Sequence, residues 1–212
     1  MDRRSLILSG LAATGLRACA TASPDPARGP QYPVDGPPPQ GAPFPPPRAP
    51  EYSTEELARA GSDFLGVTAE AVASAIERTA SEQGSVRPTA YIAGEEASAA
   101  LAIGARYGRG VLYMKTGVAP TEVYWQGPSI GWDIGGNAAR VFTLVYGLQN
   151  PDQIFRRFPG VEGSAYLVGG LGVNYQAADG MVLAPIRAGV GLRLGANVGY
   201  LSYSRQRNIL PF

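Results

Sequence analysis

Few residues in this 212-residue chain could carry chemistry: it has no histidine, and its one cysteine, Cys19, falls inside a leader-like N-terminus. Without imidazole there is no Ser-His-Asp relay and no histidine metal site. Without a thiol beyond the leader there is no cysteine nucleophile, zinc cluster or disulfide. Carboxylates are the acid-base groups that remain. Glu95 and Glu96 are adjacent and would face opposite ways on a strand, and Asp133 stands beside Trp132. Glycosidase chemistry needs two carboxyls facing each other across ~5 to 9 Å, and no spacing here encodes that. Lys115 is the single lysine, and no motif sets it beside a serine. The expectation is a protein without catalysis, cofactor or metal.

Binding groups are easier to find. Tyr124, Trp125, Gln126 and Trp132 form the densest aromatic and polar cluster, of the kind that lines a ligand pocket or packs at a barrel turn. Arg106, Arg109, Arg187 and Arg193 fall among alternating glycines. On one glycine-lined face their planar guanidinium groups would grip phosphate or carboxylate; facing outward they would simply be solvated. Arg156 and Arg157 lie within a short helical pattern, off its apolar face, and would stand at a rim.

The elements that must position these groups alternate with a period of two. From Arg187 to Ser202 the even positions run Ala188, Val190, Leu192, Leu194, Ala196, Val198 and Tyr200, and the odd ones are mostly glycine, arginine and asparagine. Leu101 to Gly108 repeats the arrangement. Glycine at every second position implies sharp coiling or close approach of other backbone, as a small closed barrel requires. Further strands are expected at 110–115, 122–125, 129–134, 140–146, 164–175 and 181–186. A helix capped by Asn150 with Pro151 in its first turn would carry Ile154, Phe155 and Phe158 on one face, ending before Pro159.

Ahead of the strands, residues 51–89 read as helical. A short helix starts around Thr54, and a longer one is capped by Thr68 and runs to about Gln83, with Gly84 as its stop. Val72, Ala75, Ile76 and Ala80 share a stripe that would cover the sheet. Residues 51–89 hold seven acids against three arginines, whereas 90–212 hold ten bases against seven acids. Such an imbalance favours docking of helices on barrel and is far too weak to suggest nucleic acid. The fold class is therefore mainly β (α+β): a small glycine-rich antiparallel β-barrel with N-terminal helices and one short inserted helix.

Residues 1–22 have the order of an export signal, with Arg3 and Arg4 as a twin-arginine-like box, an apolar run and small residues at the exit. Leu16-Arg17-Ala18-Cys19 approximates a lipobox, which would place a lipid anchor on Cys19; Ala20-Thr21-Ala22 offers ordinary cleavage instead. Residues 23–50 hold twelve prolines and form an extended, solvated tether.

Three stretches carry a resemblance: Tyr124-Trp125-Gln126-Gly127-Pro128-Ser129-Ile130-Gly131, Ile154-Phe155-Arg156-Arg157-Phe158 through Gly163-Ser164-Ala165-Tyr166, and Pro185-Ile186-Arg187-Ala188-Gly189-Val190-Gly191. Together, from about Ala90 to Phe212, they resemble the EipA family of bacterial periplasmic envelope-integrity proteins. That resemblance implies a small periplasmic β-barrel with a part in envelope integrity and no established catalytic activity. More distantly, the spacing of Trp125, Pro128, Gly131 and Gly135 is similar to SYLF domains, which bind lipids. Two functions follow as expectations. One is a module that binds an envelope amphiphile, a lipid or a glycan precursor. The other is a scaffold that contacts an envelope protein.

Overall fold

Period-two alternation in this chain builds a nine-stranded sheet in which every pairing is antiparallel. The computed structural model describes residues 49–131, 137–161, 164–188 and 199–208. The leader with Cys19, nearly all of the proline tether, Trp132, Asp133 and Arg193 lie outside the described residues.

Strand β1 spans Ala90–Met114, followed by β2 (Thr121–Gly131), β3 (Asn137–Tyr146), β4 (Arg157–Pro159), β5 (Tyr166–Val168), β6 (Leu171–Val173), β7 (Gln176–Ala178), β8 (Met181–Ala188) and β9 (Tyr200–Ser204). The order across the sheet is β4-β9-β2-β1-β3-β8-β6-β5, and β7 also pairs with β8. A bridge between Gly160 and Gln176, with Val161 N–H donating to Tyr175 O at 3.0 Å, brings the β4 end against β7. The sheet therefore curls into the barrel-like form that the glycine pattern predicted.

Where two strands were expected at 101–108 and 110–115, β1 is one strand of 25 residues. It would run about 80 Å if straight. It bends instead, giving its first half to β3 and its second to β2. The inner faces of the two halves meet at Gly94 and Gly110: a Cβ on Gly94 would lie 2.4 Å from Arg109 O and 2.7 Å from Gly110 Cα. Only bare backbone fits there. The expected single strand over 164–175 is a hairpin of β5 and β6, because Gly169 and Gly170 both take positive φ, at 57° and 78°.

Two apolar layers result. Inside the curled sheet, Ile92, Leu112, Val123, Trp125, Val145, Phe158, Leu183, Leu201 and Tyr203 pack together. Outside it, Phe142, Leu144, Tyr146, Leu171, Val173 and Ile186 are covered by helices α1 (Thr54–Leu65) and α2 (Ala69–Glu82) through Leu57, Val72, Ala75 and Ile76. Ser53 starts α1 in a reciprocal capping box with Glu56, at 3.2 and 2.9 Å, and Thr68 caps α2. The acidic faces of these helices point away from the sheet, as the stripe of Val72, Ala75 and Ile76 required.

The element after Asn150 is shorter than the sequence suggests. It is a four-residue 3-10 turn, Pro151–Ile154, because Arg157–Pro159 is drawn into the sheet beside β9. Its Ile154 is fully buried and closes one end of the inner layer.

Candidate functional site

The inner layer turns polar beyond the contact of Gly94 with Gly110. The register of β1 and β2 sets Gly108 opposite Trp125, and a Cβ on Gly108 would lie 2.0 Å from Trp125 Cε2. A Cβ on Gly94 would lie 2.6 Å from Trp125 Cη2. The indole occupies the volume that two missing side chains leave. Its Nε1–H donates to Glu96 Oε2 at 2.9 Å.

Glu96 is the centre of this arrangement. Arg187 donates to it through both Nε and Nη2, at 3.1 and 3.2 Å, and Arg106 Nε stands 3.3 Å from Oε1. Arg187 also donates from Nη1 to Asn174 Oδ1 at 2.6 Å. Burial alone would raise the carboxyl pKa, yet Arg187, Arg106 and the Trp125 hydrogen bond outweigh it and hold Glu96 below the ordinary carboxylate range. Nearby, burial and then the Glu96 charge push the Tyr203 phenol above its usual value. Both groups stay in one protonation state near neutrality. The cluster is suited to fixing strands and unsuited to moving protons.

The sign of the Glu96 shift gives a pH dependence. Because the folded pKa lies below the unfolded one, the stabilisation is complete above the unfolded value and is lost as pH falls through the folded value. Urea-unfolding midpoints should therefore fall on acidification below about pH 4.3, the unfolded reference for glutamate. A Glu96→Gln chain should show a visibly flatter profile.

The structure divides the residues the sequence had grouped. Trp125, Arg106 and Arg187 come together inside the barrel. Arg109, expected on the same glycine-lined face as Arg106, lies on the opposite one: three residues apart on a strand means opposite sides. It is exposed and stands 3.9 Å from Glu95, which the same alternation turns outward while Glu96 turns in. Tyr124 and Gln126 flank Trp125 in sequence and so lie on the outer face, separated from it by the sheet itself, with Gln126 largely covered by its neighbours there. The expected pocket of Tyr124, Trp125 and Gln126 is therefore not one site.

Arg156 and Arg157 also part. Arg156 donates to Gln153 O at 2.8 Å and pairs with Asp179, tying the 3-10 turn to the β7–β8 turn. Arg157 is exposed on the outer face, its guanidinium stacked 4.0 Å above the Tyr200 ring.

That outer face can be read from the register. One row crosses four strands as Tyr107, Gln126, Ser202 and Arg157, and the next holds Arg109, Tyr124 and Ser204. Helices α1 and α2 lie elsewhere, packed against β3, β5 and β6. Sequence reasoning named Glu96 only as one of two adjacent carboxylates, without tying it to the arginines, and missed Asn174 and Tyr200 as site residues. Glu96 could have been found from parity, since it shares a face with Ile92 and Gly94; Asn174 follows a strand and has no such signal. A shallow groove of about 380 Å³ between α1 and α2, lined by Glu55, Arg59, Glu70 and Glu77 over Ala58 and Ala73, holds none of the predicted site residues.

Among solved structures, the chain is similar to a beta-barrel-like, uncharacterized protein from Brucella abortus, at 43% identity and a TM-score of 0.68, covering 76% of this chain and 99% of that one. No curated protein matches it. A family profile, Envelope integrity protein A, matches residues 50–212, the helices and the whole sheet together, and the chain belongs to that envelope-integrity family.

Proposed function

We propose that this protein is a non-catalytic, periplasmic envelope-integrity module that binds an envelope molecule on the outside of its barrel. The observation that supports this is the division of the arginines. Arg187 and Arg106 are committed to Glu96 in a packed interior filled by Trp125, whereas Arg157 faces outward beside Tyr200 with no carboxylate partner among the described residues. A filled interior argues against a carrier that encloses its ligand among the described residues. Leader and tether, with or without a lipid on Cys19, would hold the barrel at an envelope surface.

The scaffold reading, in which another envelope protein is the partner, draws support from β5, an edge strand with Leu167 exposed. Native mass spectrometry of the chain purified gently from periplasmic extract separates the two. A small-molecule adduct retained by the native chain and lost from an Arg157→Gln, Tyr124→Ala chain is the expected result. A bare chain that co-purifies stoichiometrically with another protein would replace binding by scaffolding.

A further inference from the structure

We infer that the outer face of β1, β2, β9 and β4 is a glycan-binding platform for an acidic sugar chain, with Arg157 receiving a carboxylate or phosphate substituent of the sugar. The site deepens the outer-face reading above and depends on it.

The register sets the surface. Tyr107, Gln126, Ser202 and Arg157 occupy one cross-strand row, and Arg109, Tyr124 and Ser204 the next. Tyr200 projects on the same side and stacks under Arg157. With strands about 4.8 Å apart, the four-strand row extends roughly 15 Å, the footprint of a short oligosaccharide. Its members are tyrosine, glutamine, serine and arginine, with the covered Gln126 as floor. They supply ring faces for the C–H faces of pyranoses and both donors and acceptors for hydroxyls. No aliphatic side chain stands in these two rows, which is poor chemistry for an acyl chain.

Charge selects among glycans. Most described cations of the barrel are already engaged: Arg106 and Arg187 with Glu96, Arg109 with Glu95, Lys115 with Glu56, Arg156 with Asp179 and Arg205 with Asp152. Arg140 donates to Phe64 O at 3.1 Å. Arg157 has the Tyr200 ring beneath it and no carboxylate among the described residues. The Tyr200 ring, its centroid 4.0 Å from Arg157 Cζ, restricts the exposed guanidinium, so less side-chain entropy is lost when it forms a two-point bond with an anion. An acidic substituent on the chain complements that charge; a neutral glycan would leave it unmatched.

The test uses the full chain and three probes: oligogalacturonate, a neutral dextran of similar length, and phosphatidylglycerol vesicles, with binding followed by calorimetry at physiological salt. Oligogalacturonate should bind, dextran at least tenfold more weakly. Arg157→Gln and Tyr124→Ala should each weaken the acidic glycan by about tenfold. Arg157→Lys, which keeps charge and loses the planar fork, should retain only part of it. Both side chains are on the outer face, so unchanged circular dichroism and unfolding midpoints show that the variants fold. Oligogalacturonate binding that is indifferent to both substitutions overturns the site. Vesicle binding that disappears with Arg157→Gln, in the absence of glycan binding, overturns the glycan and keeps the outer-face reading. Failure of all three probes, with a small-molecule adduct still lost from the Arg157→Gln, Tyr124→Ala chain in native mass spectrometry, also overturns the glycan alone.

Discussion

Replacing Glu96 with glutamine will destabilise the protein by about 3 to 5 kcal/mol, the usual consequence of removing one member of a buried ionic group. Two guanidinium groups, on Arg106 and Arg187, converge on that carboxylate, and the Trp125 indole donates to it as well. An amide keeps the shape, removes the charge and turns an N–H₂ toward a donor. Urea unfolding gives the measurement: the midpoint should fall with little change in slope. A second substitution separates electrostatics from packing. Combined with Arg187→Met, Glu96→Gln should cost less than the sum of the two single changes, because the apolar chain no longer asks for an anion. A loss under about 1 kcal/mol for Glu96→Gln alone would mean that water already screens the cluster, and the account of it as an internal fastening would fail.

The second large effect is expected at Gly108. Adding a single methyl there places a carbon 2.0 Å from Trp125 Cε2 and 2.3 Å from two neighbouring ring atoms. Neither partner can yield: the glycine is within β1, paired to β2, and the indole is held by its bond to Glu96. Gly108→Ala should therefore cost about 3 kcal/mol, at the upper end for overpacking a core. Trp125→Leu should cost a similar amount, by leaving a void and removing one of the two donors to Glu96 Oε2. The double variant is the informative one. In a Trp125→Leu background the methyl added by Gly108→Ala enters vacated space, so its added cost should fall below about 1 kcal/mol. Additive costs would show that strand geometry, and no steric match to the indole, is what requires glycine.

These two sites show what the sequence made legible and what it hid. The glycine alternation signalled a coiled sheet, and the sheet is coiled. Yet the alternation does not say which partner fills the space beside each glycine, because Trp125 meets Gly108 through the β1–β2 register and reaches Gly94 only after β1 has folded back on itself. The helices were plain from the Thr68 cap and the apolar stripe, since an N-cap is satisfied within one turn; the Ser53 and Glu56 box appeared only in the structure. The site was harder. Tyr124, Trp125 and Gln126 looked like one cluster because they are adjacent, and adjacency on a strand means opposite faces. Arg106 and Arg187 were picked out as residues, yet their shared partner lay at a position one step from an identical glutamate. Parity distinguishes Glu96 from Glu95 only once the inward face of β1 is known.

The place of β9 carries a consequence for how the chain reaches its native state. This strand is the last of those described, Tyr200–Ser204, yet it lies between β2 and β4, pairing with both. Until those residues leave the ribosome, Trp125 has no Tyr203 across from it and Phe158 no Leu201. Contacts so distant along the chain are slow to form, and meanwhile two strand edges stay open to other chains. Strand β9 thus sits as a keystone among the described strands, synthesised after both of the strands it joins. A chain cut short just before Tyr200 would contain every other described element and still tend to aggregate.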